Sequence, residues 1–350
     1  MHKKVLFDKT FFISRMPINS PINICVRLPN WLGDVVMSFG FLHVLRQTYP
    51  DAIITVVIKK GLEQVVEEVS EINSVIVFSK DDYRGLRGVW KFGKRLRASA
   101  SYNLFFVLPD SFSAAVMAYA SGAKLRVGYR NEGRNFLLTH AYKKEINLHR
   151  VEEYAGLLYR FNLSSQAIQP VLEIRGNKAK EAGEYIVVNI NSEAVSRRLP
   201  IVKAVELITL LQQYSLPIKL IGSPNEKFFV TEVFNALNNK IGVEITAGKT
   251  NLKELMSLIQ EATVMVSSDS GPAHIAGAFK TPLVVLFGAG NEANTGPFKN
   301  TNALVVRNGK LPCEPCVKNT CQLASLPVCL TDLDMQKVIL SVNKLMLYNA

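Results

Sequence analysis

The chain has 350 residues, of which 48% are hydrophobic and 20% charged, a balance that supports packed cores and excludes global disorder. At ~150 residues per domain the length fits two domains. The formal charge of +12 calls for an anionic partner, and nucleic acid, anionic lipid and a phosphorylated sugar all satisfy that sign. No apolar run approaches the ~18–20 residues needed to cross a bilayer. The start, Met1-His2-Lys3-Lys4, is basic, but Asp8, Lys9 and Arg15 interrupt any signal-type core. Residues 1–20 therefore read as an N-terminal extension, and the chain is expected in the cytoplasm.

Along the chain, apolar runs at 22–28, 53–58, 75–78 and 104–108 alternate with helical patterns at 35–48, 61–69, 86–98 and 111–120. Strands near 186–190, 217–221, 243–246, 262–267 and 283–287 then alternate with helices near 202–213, 225–237, 251–260 and 273–279. This βαβα order predicts an α/β protein with parallel sheets covered on both faces. Residues 162–184 make the expected linker, and 333–350 hold a last helix. No short-period repeat or low-complexity tract intervenes.

Two strand-to-helix turns stand out. Asp269-Ser270-Gly271-Pro272-Ala273-His274 follows the apolar run 262–266 and opens a helix. Free N–H groups and the positive end of the helix dipole make such a turn an anion site. Gly271 would let a ligand approach the backbone, and His274, one turn in, would add a donor. The plainer alternative is that Asp269 or Ser270 simply caps the helix. The other turn, Arg27-Leu28-Pro29-Asn30-Trp31-Leu32-Gly33-Asp34, follows the run 22–26 and precedes a helix reaching about Thr48. Two such turns far apart in sequence suggest two nucleotide-fold halves facing one cleft. A carboxylate at the second turn, Asp34, is suited to act as a general base, although it too could be a cap.

These segments carry a resemblance. Leu28-Pro29-Asn30-Trp31-Leu32-Gly33-Asp34 before a helix resembles the N-terminal signature of the ADP-heptose:lipopolysaccharide heptosyltransferases, glycosyltransferase family 9, and Asp269-Ser270-Gly271 with His274 resembles their C-terminal signature. The resemblance spans residues 22–329. It implies the GT-B architecture: two Rossmann-like doubly wound domains facing a central cleft. The acceptor-binding domain would be 21–165 and the nucleotide-sugar domain 185–332, with 333–350 packing back on the first. It further implies inverting, metal-independent transfer of a heptosyl unit from ADP-L-glycero-D-manno-heptose to the lipid A–inner core acceptor. No cofactor would serve catalysis. The enzyme would touch the anionic inner membrane surface from its cytoplasmic face.

Residue by residue, the resemblance makes Asp34 the base. Val195-Ser196-Arg197-Arg198-Leu199-Pro200 resembles the family's Lys-Arg-Trp-Pro, which puts Arg197 where a Lys neutralises the donor diphosphate and Arg198 beside it. Arg for Lys changes geometry, Leu199 stands where the family has Trp, and Asn189-Ile190-Asn191-Ser192 lacks its Pro-Gly character. Glu226 matches an acid that holds the donor ribose, a task suited to an acceptor-only carboxylate. Asp269, Ser270, Gly271 and His274 complete the donor side. On the acceptor side fall Asn30, Trp31, Ser111, Arg130, Arg134 and His149, with the basic face of Arg87 and Lys91, which by spacing alone is equally a solvated helix face.

Other signals weigh less. Gly242…Gly248-Lys249-Thr250 has five residues between its glycines where a phosphate-binding Walker loop has four. Cys313, Cys316, Cys321 and Cys329 cluster within seventeen positions, and both a structural zinc or iron site and reduced thiols fit them, disulfides less so. Competing functions are transfer from another nucleotide-sugar in cell-envelope glycan synthesis and dinucleotide-dependent oxidoreduction. The latter lacks a Gly-x-Gly-x-x-Gly turn after the first strand. Nucleic-acid binding lacks any recognisable motif.

Overall fold

The computed structural model describes residues 22–67, 69–131, 133–161, 171, 173–174 and 183–348. The expected extension at 1–20 and most of the expected linker lie outside the described residues. In the first half, β1 (Asn23–Arg27), β2 (Ile53–Lys59), β3 (Ser74–Phe78), β4 (Leu104–Val107), β5 (Leu125–Tyr129) and β6 (His140–Tyr142) form one sheet in the order β3-β2-β1-β4-β5-β6. Every neighbouring pair in it is parallel. Its helices are α1 (Leu32–Met37), α2 (Phe39–Thr48), α3 (Gly85–Ser99), α4 (Phe112–Ala120) and α5 (Arg150–Arg160).

The second half repeats this plan. Strands β7 (Gly183–Asn189), β8 (Ile218–Leu220), β9 (Val243–Ile245), β10 (Ala262–Ser268), β11 (Leu283–Phe287) and β12 (Ala303–Arg307) run in the order β12-β11-β10-β7-β8-β9, again all parallel. Helices α6 (Ile201–Leu211), α7 (Lys227–Ala236), α8 (Leu252–Gln260), α9 (Gly271–Phe279), α10 (Glu292–Thr295), α11 (Val328–Thr331) and α12 (Met335–Tyr348) surround or follow them. Counted from its own first strand, each half has the order 3-2-1-4-5-6 of a dinucleotide-type doubly wound fold. The order reverses between β1 and β4 and between β7 and β10, so a crevice opens at the carboxyl ends of those four strands.

Alternation along the strands fills two faces. Ile24 and Val26 join Ile54, Val56, Ile58 and Phe106 in one core, while Cys25 joins Val57 and Phe105 beneath α3 and α4. The first of these cores does not stop at the domain boundary: it continues through α1 into Ala273, Ile275 and Ala276 of α9 and on to Met265 and Phe287. Further ties cross the boundary. The Gln64 side-chain oxygen accepts the N–H groups of Leu252 and Lys253 at 3.1 and 3.2 Å, capping α8 from the other half. Asn294 donates its amide to the Leu148 carbonyl at 2.9 Å.

Three departures from the sequence reading have physical causes. The helix expected over 35–48 breaks at Ser38, whose hydroxyl donates to the Val35 carbonyl at 2.6 Å and closes one helix before the next begins. The pattern at 61–69 yields a single tight turn, Glu63–Val65, after Gly61 takes a left-handed φ of +90°. Among the described residues the last helix packs on the second half. Val338, Ile339, Val342 and Leu345 of α12 form an apolar stripe that shares a core with Ile186, Val188, Val264 and Leu286 of the second sheet. Among the described residues no helix is long and apolar enough to cross a membrane.

Candidate active site at the domain boundary

The first-half side of the crevice is built from a buried cation. Arg27, at the end of β1, is buried and donates to the Leu28 and Val57 carbonyls at 2.5 and 3.1 Å and to the Asn30 side-chain oxygen at 2.5 Å. This pins the loop after β1, and Asn30 spends its amide oxygen on that task. Trp31 follows as the N-cap of α1, 55% exposed, with the Lys59 ammonium 5.5 Å from its ring centre.

Asp34 lies in the first turn of α1 but caps nothing, so the capping alternative fails. Its Oδ1 accepts the Tyr154 hydroxyl at 3.2 Å and lies 3.5 Å from Nε of Arg150, both on α5. Burial pushes the Asp34 carboxyl up from the usual carboxylate value, and Arg150 and Tyr154 pull against it. Arg150 is itself held by both Glu153 oxygens at 2.9 Å, and Lys144 bridges Glu153 at 2.7 Å and Asp110 at 2.5 Å. The sequence reading passed over Arg150 and Tyr154. Their i, i+4 spacing directly after His149 was the available signal, since it places both on one helix face.

The second-half side gathers at the ends of β7 and β10. Asp269 is buried, with Oδ2 3.3 Å from Nη1 of Arg197, and burial pushes its carboxyl up to about 6 against the pull of that guanidinium. Ser270 is the N-cap of α9, yet its side chain makes no capping bond. It instead takes a hydrogen bond from the Asn189 amide at 2.7 Å and donates to the Ser268 carbonyl. The first turn of α9 is thus left uncapped by side chains, as an anion site requires. Arg198 lies with its guanidinium 5.0 Å from the Phe229 ring centre and donates to the Ser192 carbonyl. The Nε atoms of Arg197 and Arg198 and the Asn191 side-chain oxygen are buried without a hydrogen-bond partner. Glu226 gives one oxygen to the Ser223 N–H at 2.7 Å.

Gly271 and His274 both take part in packing across the boundary. A Cβ at Gly271 would stand 2.9–3.0 Å from Leu32 of α1, so glycine here permits a close approach of the first half of the protein. The His274 ring rests against Gly33 and lines a small cavity with Asp269, Gly277, Thr295, Pro297 and Phe298. Burial, with His149 and Arg197 nearby, pushes its imidazole down to about 4, so it is neutral near pH 7 and retains one N–H donor.

The acceptor-side candidates scatter. Arg134 is fully buried and donates to the carbonyls of Tyr129, Pro109 and Ser111, its guanidinium filling the space between the loops after β4 and β5. His149 is also committed. Its Nδ1 accepts the Val151 N–H at the start of α5, and its Nε2 bonds the Gly296 carbonyl of the second half at 2.9 Å. Ser111 caps α4. Arg130 keeps an exposed guanidinium, bonded through Nε to the Ala141 carbonyl. Arg87 and Lys91 occupy the exposed face of α3, on the sheet face away from α5.

The cysteines form no disulfide among the described residues. No group of three or more His, Cys, Asp or Glu able to hold an ion occurs among the described residues, and Cys313, Cys316, Cys321 and Cys329 are free thiols. Cys329 is buried on α11 against Gly288, and burial pushes its thiol up to about 11, whereas Cys313 lies exposed on a loop.

Two Rossmann-type halves, an uncapped helix start beside paired arginines, and a carboxylate across the crevice define a GT-B glycosyltransferase. The sequence profile of glycosyltransferase family 9 (heptosyltransferase) matches residues 89–326, and the chain belongs to that family. It is 27% identical over 315 residues to lipopolysaccharide heptosyltransferase 2 of Escherichia coli K12, covering 82% of this chain and 88% of that protein. It is 25% identical over 330 residues to lipooligosaccharide heptosyltransferase 2 of Campylobacter jejuni strain 81116, covering 93% and 99%. The solved structure of E. coli ADP-heptose lipopolysaccharide heptosyltransferase II superposes with a TM-score of 0.80 at 25% identity, covering 94% of this chain and 99% of that one.

Proposed function

We propose that this heptosyltransferase moves an L-glycero-D-manno-heptosyl unit from ADP to the lipopolysaccharide inner core, with inversion and without a metal ion. The observation that carries the reading is Asp34: a partly desolvated carboxylate, not a cap, adjoining the residue that packs against His274 of the donor side. As base it takes the proton of the acceptor hydroxyl while that oxygen bonds to the anomeric carbon. The bond from that carbon to the diphosphate oxygen breaks, and its electron pair leaves with ADP. Arg197, Arg198 and the start of α9 supply positive charge for the diphosphate, the role a metal ion fills in other transferases.

Arg130 and the basic face of α3 support an anionic acceptor and peripheral contact with the cytoplasmic face of the inner membrane. From Arg84 to Arg126 the only acidic residue is Asp110. The deciding experiment incubates the purified protein with ADP-heptose and a heptose-deficient lipopolysaccharide, with and without EDTA, and reads the product by mass and anomeric configuration. Transfer from a different nucleotide-sugar only, retention of configuration, or activity that EDTA removes and Mg²⁺ restores would each overturn the corresponding part.

A further inference from the structure

The two oxygens of Asp34 are not equivalent. Oδ1 accepts the Tyr154 hydroxyl at 3.2 Å and faces Nε of Arg150 at 3.5 Å, whereas Oδ2 has no protein partner among the described residues. Tyr154 is a buried core residue on α5, so its hydroxyl position is set by packing rather than by solvent. Arg150 is fixed in turn, because Glu153 takes its Nη1 through both oxygens and Lys144 ties Glu153 to Asp110. A carboxylate with one oxygen hydrogen-bonded to a packed phenol and paired with a fixed guanidinium 3.5 Å away cannot rotate freely, and its other oxygen is aimed.

We propose that Tyr154 and Arg150 are the positioning residues of the transfer reaction: they hold Oδ1 of Asp34 so that Oδ2 receives the acceptor proton. This rests on the reading of Asp34 as the base. The pair also sets how readily that base ionises. A phenol donor and a guanidinium both favour the carboxylate form, against the burial that disfavours it. The other charged groups facing Asp34 are Glu153 on α5 and Lys144 before it, which offset one another. His274 of α9, against the neighbouring Gly33, is neutral near pH 7.

The test is a kcat/KM profile against pH for the full-length protein and the variants Tyr154→Phe, Arg150→Gln, Arg150→Lys and Asp34→Asn. Tyr154→Phe keeps the ring in the core and removes only the donor. Its acidic limb should move up by about half to one pH unit and its kcat should fall ~3–30-fold, with the donor KM unchanged. Arg150→Gln should shift the limb the same way, and Arg150→Lys, which restores a cation, should return most of the shift. A limb that stays in place in both Tyr154→Phe and Arg150→Gln, while Asp34→Asn is inactive, would overturn the positioning role and leave the base intact. An active Asp34→Asn would instead remove the base reading and this inference with it. If Tyr154→Phe lowers the melting temperature substantially, the two Arg150 variants decide the question alone.

Discussion

A Cβ placed on Gly33 would stand 2.5 Å from Cδ2 of His274, a contact that joins α1, the helix carrying Asp34, to α9. The two halves meet here without a spacer, so the placements of Asp34 and of the first turn of α9 are set by one packing contact. Gly33→Ala should therefore cost about 1–3 kcal/mol of stability by overpacking and lower kcat as well, because Asp34 is the next residue. The double variant with His274→Ala should recover part of the stability. Strict additivity of the two changes in a thermal-unfolding cycle would show that the contact is not coupled.

Asp34→Ala should lower kcat by ~10²–10⁴-fold while the Kd for ADP-heptose stays within a few-fold of the unmutated value. Calorimetric titration with the donor, set beside turnover, separates the two quantities. Near-normal turnover would leave Asp34 without a catalytic part.

Asp269 and His274 should pull the pH dependence of stability in opposite directions. Burial raises the Asp269 carboxyl from 3.8 to about 6, so its contribution is complete below pH ~4 and is lost as pH rises toward 6. Burial lowers the His274 imidazole from 6.5 to about 4, so its contribution is present above pH 6.5 and is lost as pH falls toward 4. Each is on the order of 2–3 kcal/mol, and in the unmutated protein they largely cancel. Between pH 4 and 6.5, Asp269→Asn should make the melting temperature rise more steeply with pH, and His274→Gln should make it fall. Slopes unchanged in both variants would refute the account.

Arg134 and Arg130 should separate cleanly. Arg134→Ala leaves three carbonyls, that of Tyr129 buried, without this donor and should destabilise the fold by about 2–5 kcal/mol. Arg130→Ala should leave the melting temperature nearly unchanged and raise the acceptor KM. An Arg134→Ala protein of normal stability would contradict its placement as a strut.

For the basic face, Arg87→Glu with Lys91→Glu should weaken binding to vesicles containing anionic lipid, and salt should do the same to the unmutated protein, since exposed charges are screened within ~8–10 Å. Cosedimentation that responds to neither change would place the membrane contact elsewhere.

The parallel strands of both halves were legible because runs such as 104–108 and 283–287 are apolar throughout, as strands buried on two faces must be. Among the elements that escaped notice, β5, β6, α5 and β12 lack that signature: β6 is three half-buried residues, and α5 carries charge into its buried face at Glu153. Asp34, Arg197 and Asp269 could be nominated because short local motifs carry them. The partners of Arg134 and His149 could not be foreseen, for the converse reason. Nothing local distinguishes a guanidinium that faces solvent from one that braces three carbonyls, or a histidine that meets a ligand from one that bonds a carbonyl 147 residues away.

The packing of Gly33 and Gly271 against His274 and Leu32 carries a lesson for anyone recombining such enzymes. Each glycine accommodates a side chain supplied by the opposite domain, so neither half is a free-standing cassette. A chimaera that joined this first half to a foreign donor half would inherit Leu32 and require a glycine opposite it. The same donor half, moved elsewhere, would bring His274 and require one in return. Exchange of specificity by domain swapping thus has a two-residue compatibility code, and libraries that ignore it would be screened mostly for misfit at the seam.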